Sequence, residues 1–225
     1  MIYPIILTTV GLFLLSPIAS SPEGGESEST KARWNERYDR DMYIYGKDPA
    51  AFLKQKIDGL KKGKALILAM GEGRNAVYLA QNGFDVTGVD ISEVAIEKCN
   101  KLAKERNTTV NGVVADLTDY DMGEAQFDLI TKFYYYEPSI FPQIIEALKP
   151  GGMFILEQFS IDHLKYRGAS GFGPRNPDYL IKPNELLEHF KLLRVLYYED
   201  TVVELDEGMH KGTAAVIRLI AEKPE

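Results

Sequence analysis

Short apolar runs that alternate with segments of helical period are the feature that most constrains the fold of this 225-residue chain. Apolar runs of this length are typical of strands buried on both faces, whereas the segments between them place apolar residues on one helix face. Such alternation is typical of a parallel sheet with helices packed on both sides. The sequence therefore predicts a doubly wound α/β fold.

Seven strands can be placed along the chain. Five apolar runs predict parallel strands at 65–69, 84–90, 110–114, 127–131 and 153–157. Two further β-rich runs, 192–198 and 213–221, are separated by a polar turn at 206–208 and predict an antiparallel hairpin at the sheet edge. We expect a mostly parallel seven-stranded sheet that ends in this hairpin.

The N-terminal region differs in composition from the rest of the chain. Residues 2–19 are apolar and uncharged, which is typical of a signal or a membrane anchor, although a spanning helix usually needs about 20 residues. Residues 21–31 are rich in Gly, Ser and Glu, which favours a flexible linker. We therefore expect a hydrophobic segment at 1–20, a linker at 21–31 and one folded domain at 32–225.

Charge around this segment bears on its orientation. Lys31, Arg33 and Arg37 follow it, and nothing basic precedes it, which favours a domain on the cytoplasmic side. We expect a cytoplasmic domain that is attached to the membrane through residues 2–19. Export is the alternative if the segment is a cleaved signal, and an over-extended translation start is a third interpretation.

Composition excludes several classes of function. The net charge of -7 disfavours nucleic acid as a partner, because a phosphate backbone would be repelled. Cys99 is the single cysteine, so no intrachain disulfide can form, and its helical context predicts a buried side chain. The three histidines, His163, His189 and His210, match no ligand spacing, so we expect no metal site.

A glycine turn follows the first predicted strand. Gly71 and Gly73 connect this strand to a helix, where missing side chains and free amides can accommodate an anionic group. Asp90 ends the next strand about 20 residues later, where a carboxylate can accept hydrogen bonds from both ribose hydroxyls of a nucleoside. Together they predict an adenosine-type cofactor, and the GEGRNA turn leaves both a dinucleotide and S-adenosylmethionine open.

The segment ALILAMGEGRNAVYLAQNGFDVTGVDIS at 65–92 resembles the cofactor-binding half of class I S-adenosylmethionine-dependent methyltransferases, especially the tellurite-resistance-like and thiopurine-methyltransferase-like branch. The resemblance continues in VVADL at 113–117, ALKPGGMFILEQF at 147–159 and FGPRNPDYLIKPNELLEHF at 172–190. It implies a methyltransferase domain with S-adenosylmethionine as its cofactor. Many relatives have an acidic residue at the position of Ile67 and glycine at that of Ala69, a departure that could change cofactor affinity.

The resemblance also implies which residues hold the cofactor. They are Gly71, Gly73 and Arg74 against the methionine part, Asp90 on the ribose, Ile91 on the adenine, Asp116 and Leu117 at the adenine edge, and Lys132 after the fourth strand. Ligands in such sheets bind at the carboxyl ends of the strands, so the segment 132–137 should lie beside the reacting methyl group.

The methyl acceptor should lie against aromatic side chains. If it must be deprotonated, Tyr134, Tyr135 and Glu137 are the candidate catalytic residues, whereas a thiol or chalcogen anion would need only a nonpolar pocket. The remaining candidates for the pocket are Trp34, Tyr38, Tyr45, Tyr136 and Arg175, the last of which could meet an anionic group. No single residue is assigned a catalytic role by the sequence.

The predicted function is methyl transfer from S-adenosylmethionine to a small nucleophile such as a thiol or a metalloid, by in-line displacement. One alternative is a nucleotide-dependent oxidoreductase. The other is a membrane-tethered cofactor-binding module without turnover, which Ile67 and Ala69 favour. The sequence predicts neither the identity of the acceptor nor the oligomeric state.

Overall fold

A seven-stranded mixed sheet forms the centre of the computed structural model, which describes residues 23–225. The strands are β1 (Lys64–Leu68), β2 (Asp85–Asp90), β3 (Asn111–Val114), β4 (Phe127–Phe133), β5 (Leu148–Phe159), β6 (Arg194–Glu207) and β7 (His210–Glu222). Their spatial order is β3-β2-β1-β4-β5-β7-β6, in which β1 to β5 are parallel and β7 is antiparallel to both of its neighbours. The predicted fold, with its terminal hairpin, is confirmed.

The two strands of the hairpin are longer than their apolar runs. β6 continues to Glu207 through alternating polar residues, because an edge strand needs an apolar side chain only on its covered face. The turn consequently lies at Gly208 and Met209, and His210, paired with Glu207, is the first residue of β7. This placement brings the hairpin turn close to the N-terminal part of the domain.

Helices cover both faces of the sheet. They are α1 (Glu23–Tyr38), α2 (Ala51–Lys56), α3 (Arg74–Gln81), α4 (Glu93–Glu105), α5 (Phe141–Ala147), α6 (Leu164–Ser170) and α7 (Glu185–His189). Leu66 and Leu68 of β1 face the core that contains α5 and α7, whereas Ala65 and Ile67 face the core of α2, α3 and α4. This two-sided burial explains why the strand is continuously apolar.

The packing of α3 against α4 depends on a glycine. Gly73 has φ +87°, and a Cβ atom built there would lie 2.2 Å from the Sγ of Cys99. Cys99 lies in α4 and is fully buried, as its helical context predicts. Ser92 begins α4 by accepting a hydrogen bond from the Ala95 amide at 3.1 Å.

The linker expected at 21–31 is helical from Glu23 onward, so the folded unit begins before the predicted boundary at residue 32. Tertiary contacts explain the difference, because polar residues of α1 pair with the domain instead of facing only water. Ser27 Oγ donates to Asp116 at 2.8 Å, and the Lys31 ammonium lies 3.1 Å from the Glu93 carboxylate. Composition alone does not reveal such pairs.

The hydrophobic segment at 1–20 lies outside the described residues, so its predicted roles as signal or anchor stay predictions. Among residues 23–225, no helix combines the length and the apolar character needed to cross a membrane.

A buried lysine fixes the loop that follows α1. The Lys98 ammonium donates to the backbone carbonyls of Tyr38, Arg40 and Met42 at 3.1, 2.9 and 2.7 Å. It also lies 2.5 Å from the carboxylate of Glu72, which accepts a hydrogen bond from the Ile44 amide. These bonds hold the loop over the carboxyl-terminal edge of the sheet.

Candidate functional site

A cavity of about 1150 Å³ lies along the carboxyl ends of the parallel strands, beneath α1 and the loop that follows it. Strand order divides its lining into two parts. The carboxylate end, beside β1, β2 and β3, comprises Gly71, Asp90, Ile91, Asp116 and Leu117. The aromatic end, beside β4, β5 and β7, comprises Tyr45, Tyr134, Gln158, Phe159 and His210.

Asp90 is the centre of the carboxylate end. It is 6% exposed, and its carboxylate accepts hydrogen bonds from the Gly71 amide at 2.8 Å and the Ser92 amide at 2.9 Å. Burial raises the pKa of Asp90 to about 6, while these amide hydrogen bonds act in the opposite direction. The structure thus joins Asp90 to the glycine turn, and the two carboxylate oxygens keep capacity for further donors.

Asp116 forms the outer part of the carboxylate end. Its carboxylate accepts hydrogen bonds from Ser27 Oγ at 2.8 Å and from the amide and hydroxyl of Thr118 at 3.1 and 2.8 Å. Partial burial would raise the pKa of Asp116, but the hydrogen bonds from Thr118 and Ser27 lower it, so the group is ionised. Ile91 and Leu117 provide apolar surface in the same part of the lining.

The glycine turn lies against Tyr38 of α1. Gly71 has φ +57°, and a Cβ atom built there would be 3.0 Å from the Tyr38 hydroxyl oxygen. Tyr38 is buried, stacks on Trp34 at 5.5 Å between ring centroids, and lines the cavity together with it. Two of the aromatic residues predicted for the pocket, Tyr38 and Trp34, therefore pack over the glycine turn, with Tyr38 in contact with it.

The two departures from the family pattern are both in the cavity lining. Ile67 is buried and gives this part of the floor an apolar side chain. Ala69 has φ +49°, a left-handed conformation that costs a non-glycine residue about 1–2 kcal/mol. Glycine would adopt this conformation without that cost, which explains in physical terms why it suits the position.

His210 is at the centre of the aromatic end, a position that no sequence motif predicted. Its ring centroid lies 4.6 Å from that of Tyr45, 4.8 Å from that of Tyr134 and 5.3 Å from that of Phe159. The side chain is 7% exposed, and its Nδ1 has no hydrogen-bond partner among the described residues. Burial first, and then the charges of Arg74 and Arg37, lower the pKa of His210 to about 3, so its ring is neutral near pH 7.

The three candidate catalytic residues line the cavity, and two of them, Tyr134 and Glu137, have another role in the structure. The Tyr134 hydroxyl donates to the buried Glu157 carboxylate, and burial together with that carboxylate raises the pKa of Tyr134 well above its usual value. Burial also raises the pKa of Tyr135. The Glu137 carboxylate accepts from the amide and hydroxyl of Ser139 at 3.1 and 2.6 Å and so caps a short 3-10 turn. None of the three is placed as a free general base.

A buried ion pair holds Tyr134 in place. Glu157 accepts the Tyr134 hydroxyl with one carboxylate oxygen, and the other oxygen lies 2.5 Å from Arg218 Nε. Tyr134 itself has φ +56°, a conformation that a residue with a side chain adopts only when its surroundings enforce it. Its ring is therefore a fixed wall of the aromatic end.

Three predicted site residues do not line the cavity. Lys132 is fully buried on the α5 side of the sheet, where its ammonium donates to the Tyr135 carbonyl and burial lowers its pKa to about 7. Successive side chains of β4 point to opposite faces of the sheet, so Lys132 lies away from the cavity whereas its neighbour Phe133 lines it. Gly73 packs on Cys99, and Arg175 is exposed outside the lining, to which Gly173 and Pro174 contribute instead.

The other predicted residues line the cavity with partners that their sequence context did not suggest. Arg74 forms an ion pair with Glu207 at 2.7 Å and donates to the Tyr45 carbonyl at 3.2 Å, so it fastens the hairpin turn to the N-terminal loop. Tyr136 donates its hydroxyl to Glu185. Within residues 23–225, no group of three potential ligand side chains is arranged to bind a metal ion.

Comparison with known proteins identifies the class. A family model described as a methyltransferase domain matches residues 65–152. The "probable thiol methyltransferase 2" of Arabidopsis thaliana is 31% identical over 168 residues, which cover 68% of this chain and 67% of that protein. The "probable S-adenosyl-L-methionine-dependent methyltransferase TehB" of Haemophilus influenzae is 27% identical over 157 residues, 66% of this chain and 52% of its own length.

A solved structure shows the same fold. The crystal structure of TehB from Haemophilus influenzae superposes with a TM-score of 0.64 at 22% identity and covers 86% of this chain and 66% of that chain. The chain spans about half the length of the first curated relatives that it matches. It belongs to the class I S-adenosylmethionine-dependent methyltransferases, as the sequence motifs imply.

The carboxylate end fits the cofactor of this family. Asp90 offers a buried carboxylate with free acceptor capacity, Ile91 and Leu117 offer apolar flanks, and the glycine turn lines the cavity at Gly71 without a side chain. S-adenosylmethionine has a ribose, an adenine and an amino-acid part that correspond to these three features.

Proposed function

We propose that this protein transfers a methyl group from S-adenosylmethionine to a small sulfur nucleophile, a thiol or a close chemical relative. One observation carries the proposal. A single cavity joins a carboxylate end suited to a nucleoside with an aromatic end in which Tyr134 and Glu137 are engaged in other hydrogen bonds and His210, whose pKa burial lowers to about 3, is only a weak base. That combination suits an acceptor that reacts without enzymatic deprotonation.

The cofactor supplies an electrophilic methyl group on a sulfonium, so a nucleophile's electron pair can form the new bond while the sulfonium C–S pair returns to sulfur. The protein's part is to hold the acceptor and the methyl group in contact and in line, which accounts for much of the rate in such displacements. Asp90 would hold the ribose hydroxyls, and the Gly71 turn would hold the amino-acid part. Tyr134, fixed by Glu157, would form one wall of the reaction space.

Acceptor chemistry favours sulfur. A thiol ionises at lower pH than a hydroxyl, so a larger fraction of it is the reactive anion near neutral pH. The matching relative in Arabidopsis thaliana is described as a thiol methyltransferase, which supports the same choice. A small metalloid nucleophile is the second candidate acceptor. The net charge of -7 disfavours a nucleic acid as the acceptor.

The alternative of a dinucleotide-dependent oxidoreductase conflicts with the sheet. Doubly wound dinucleotide-binding folds have the strand order 3-2-1-4-5-6 with parallel strands. Here an antiparallel β7 lies between β5 and β6, and it brings His210 to the cavity. The second alternative, a binding module without turnover, is distinguished from a methyltransferase by the acceptor experiment described below. A cytoplasmic location and membrane attachment through residues 2–19 stay predictions.

The donor site is tested first by calorimetric titration of the full chain with S-adenosylhomocysteine, with NAD as a second ligand. We expect binding in the micromolar range that Asp90→Ala weakens at least 30-fold, since the variant loses the carboxylate that we propose for the ribose. Asp85→Ala is the matched control, because Asp85 lies on the same strand but is exposed at its opposite end. Binding of NAD instead of S-adenosylhomocysteine would contradict the proposal.

The acceptor class is tested by transfer of a labelled methyl group to thiophenol, with phenol as the oxygen analogue. We expect methyl thioether from thiophenol and at least 100-fold slower reaction with phenol, since phenol is mostly protonated near neutral pH. Methylation of phenol at an equal rate would contradict a sulfur acceptor. Cofactor binding without methylation of any thiol would favour the binding module.

A further inference from the structure

His210 has an environment that packing alone does not explain. It follows the hairpin turn, and the rings of Tyr45, Tyr134 and Phe159 surround it at the aromatic end. Neither ring nitrogen has a hydrogen-bond partner among residues 23–225, and Nδ1 is buried. A buried polar group without a partner is unfavourable, so its presence in a cavity lining points to a partner from outside the chain.

The charges around His210 are predominantly positive. Arg74 is neutralised by Glu207 at 2.7 Å, across the hairpin from His210. Arg37 is exposed to solvent on one side, lines the cavity, donates to the Tyr45 hydroxyl at 3.3 Å, and has no carboxylate within ion-pair distance among the described residues. The other groups that face the ring are the Tyr45 and Tyr134 hydroxyls and the neutral His163.

The positive charges near His210 affect both its protonation state and the kind of ligand that it can bind. With burial as the larger cause, these charges lower the pKa of His210 to about 3 and keep the imidazole neutral. The field that disfavours a cation at this place also stabilises an anion there. A neutral imidazole always carries one N–H donor, which can bind such an anion.

We infer that His210 contacts the methyl acceptor, donating a ring N–H to the anionic sulfur nucleophile that Arg37 attracts into the aromatic end. This inference rests on the proposed function and adds its specificity-determining residues. The thiol loses its proton to solvent before it reacts. The thiolate sulfur then forms a bond to the methyl carbon as the sulfonium C–S bond breaks and its electron pair returns to that sulfur. One anion and one cation give two neutral thioethers.

His163 provides a matched control within the same aromatic cluster. Its ring stacks on Phe159 at 4.6 Å and lies 5.4 Å from Phe172, and Phe172 also lies 5.4 Å from His210. Its Nδ1 is buried without a partner among the described residues, as in His210, but its Nε2 is hydrogen-bonded to the Phe172 carbonyl at 3.1 Å and its ring does not line the cavity. A purely structural histidine in this cluster would resemble His163.

The first test measures methylation of thiophenol by the full chain and its variants. His210→Phe keeps a ring but loses the N–H, and we expect the KM for thiophenol to rise at least tenfold while S-adenosylhomocysteine affinity stays within twofold. His210→Gln restores an N–H donor and should recover part of that loss. His163→Phe should change the KM less than threefold. Equal effects of His210→Phe and His163→Phe, or no effect of either, would overturn the inference.

Arg37 is tested through the pH dependence of kcat. Removing its charge in Arg37→Gln should raise the pH at which the bound thiophenol ionises, which shifts the midpoint of the kcat profile upward. Arg40→Gln is the control, because Arg40 is an exposed arginine nearby that does not line the cavity. Identical profiles for the wild type and Arg37→Gln would exclude a role for this charge.

A measurement without turnover keeps the inference testable if thiophenol is not methylated. The chain has only three histidines, so ring resonances of His163, His189 and His210 can be assigned by substitution. Thiocyanate, a sulfur anion, is titrated into the protein saturated with S-adenosylhomocysteine. We expect a saturable shift of the His210 resonance alone, at least fivefold weaker in Arg37→Gln. An unshifted His210 resonance refutes the inference, whereas failure to bind S-adenosylhomocysteine refutes the proposed function.

Discussion

The two ends of the cavity are built in different ways. At the carboxylate end, side chains interact with backbone amides of adjacent turns, and the Gly71 amide and Asp90 carboxylate that meet there are only 19 residues apart. At the aromatic end, side chains from the N-terminal loop, β4, β5 and β7 meet one another. The Arg74–Glu207 ion pair that closes it joins residues 133 positions apart.

This difference determines what each end can vary. Backbone amides at strand ends are supplied by the fold itself, so the carboxylate end depends on a few glycines and on two aspartates, Asp90 and Asp116. The aromatic end depends on the identity of every side chain in it, and any of them can change without altering the sheet. A shared methyl donor and variable acceptors are the expected outcome of such a division.

The largest expected effect concerns the backbone of the carboxylate end. Gly73→Ala should lower the free energy of unfolding by about 3–4 kcal/mol, because it combines a left-handed conformation with a Cβ atom 2.2 Å from Cys99 Sγ. Gly83→Ala is the matched control, since Gly83 has the same φ of +87° but nothing within 4 Å of the added Cβ. Its cost should be about 1–2 kcal/mol.

Chemical denaturation of both variants checks this difference. Equal losses of unfolding free energy in the two variants would mean that α3 and α4 can move apart without an energetic cost. Helix packing would then not fix the position of the glycine turn. A larger loss for Gly73→Ala, with weaker S-adenosylhomocysteine binding, would confirm that helix packing fixes the position of the glycine turn.

A smaller effect is expected at the aromatic end. Tyr134→Phe keeps the ring but leaves a buried oxygen of Glu157 without its donor, so we expect a loss of about 2 kcal/mol in unfolding free energy. Because the hydroxyl faces Glu157, thiophenol methylation should change less than threefold. Tyr135→Phe is the control, since the Tyr135 hydroxyl has no hydrogen bond to another described residue. A 100-fold loss of kcat in Tyr134→Phe would instead make this hydroxyl catalytic.

The same contrast explains what the sequence could predict. The seven strands, the hairpin and the placement of Gly71, Asp90 and Asp116 in one site were all predicted, because each depends on local periodicity or on a short motif. The helix that begins at Glu23, within the predicted linker, was not predicted, since pairs such as Ser27 with Asp116 join segments far apart in the chain. Composition carries no information about such pairs.

Site residues outside the motifs were harder to predict. Lys132 is next to the cavity in sequence but lies on the opposite face of β4, and strand register alone would have indicated this. His210 looked like an isolated histidine because its partners come from four other segments. The one available signal was its position directly after a hairpin turn, which places it at the end of a strand.

The smallest expected effect is a pH dependence of cofactor affinity, which should arise at the carboxylate end and not at the aromatic end. Since the pKa of Asp90 is raised to about 6, a ligand whose hydroxyls donate to the carboxylate must displace a proton below that pH. Affinity for S-adenosylhomocysteine should therefore be constant from pH 8 to about 7 and be about tenfold weaker at pH 5 than at pH 8. Calorimetry across this range measures it, and Asp90→Asn should abolish the dependence.

Stability of the free protein should respond with the opposite sign. Asp90 ionises at lower pH in the unfolded chain than in the folded one, so its contribution to folding is present at low pH and is lost as pH rises through about 6. As pH rises, the affinity for S-adenosylhomocysteine should increase while the contribution of Asp90 to the free energy of unfolding decreases. Both changes should disappear in Asp90→Asn. His210, with a pKa of about 3, does not titrate there, so a pH dependence that survives Asp90→Asn would have to arise outside these two residues.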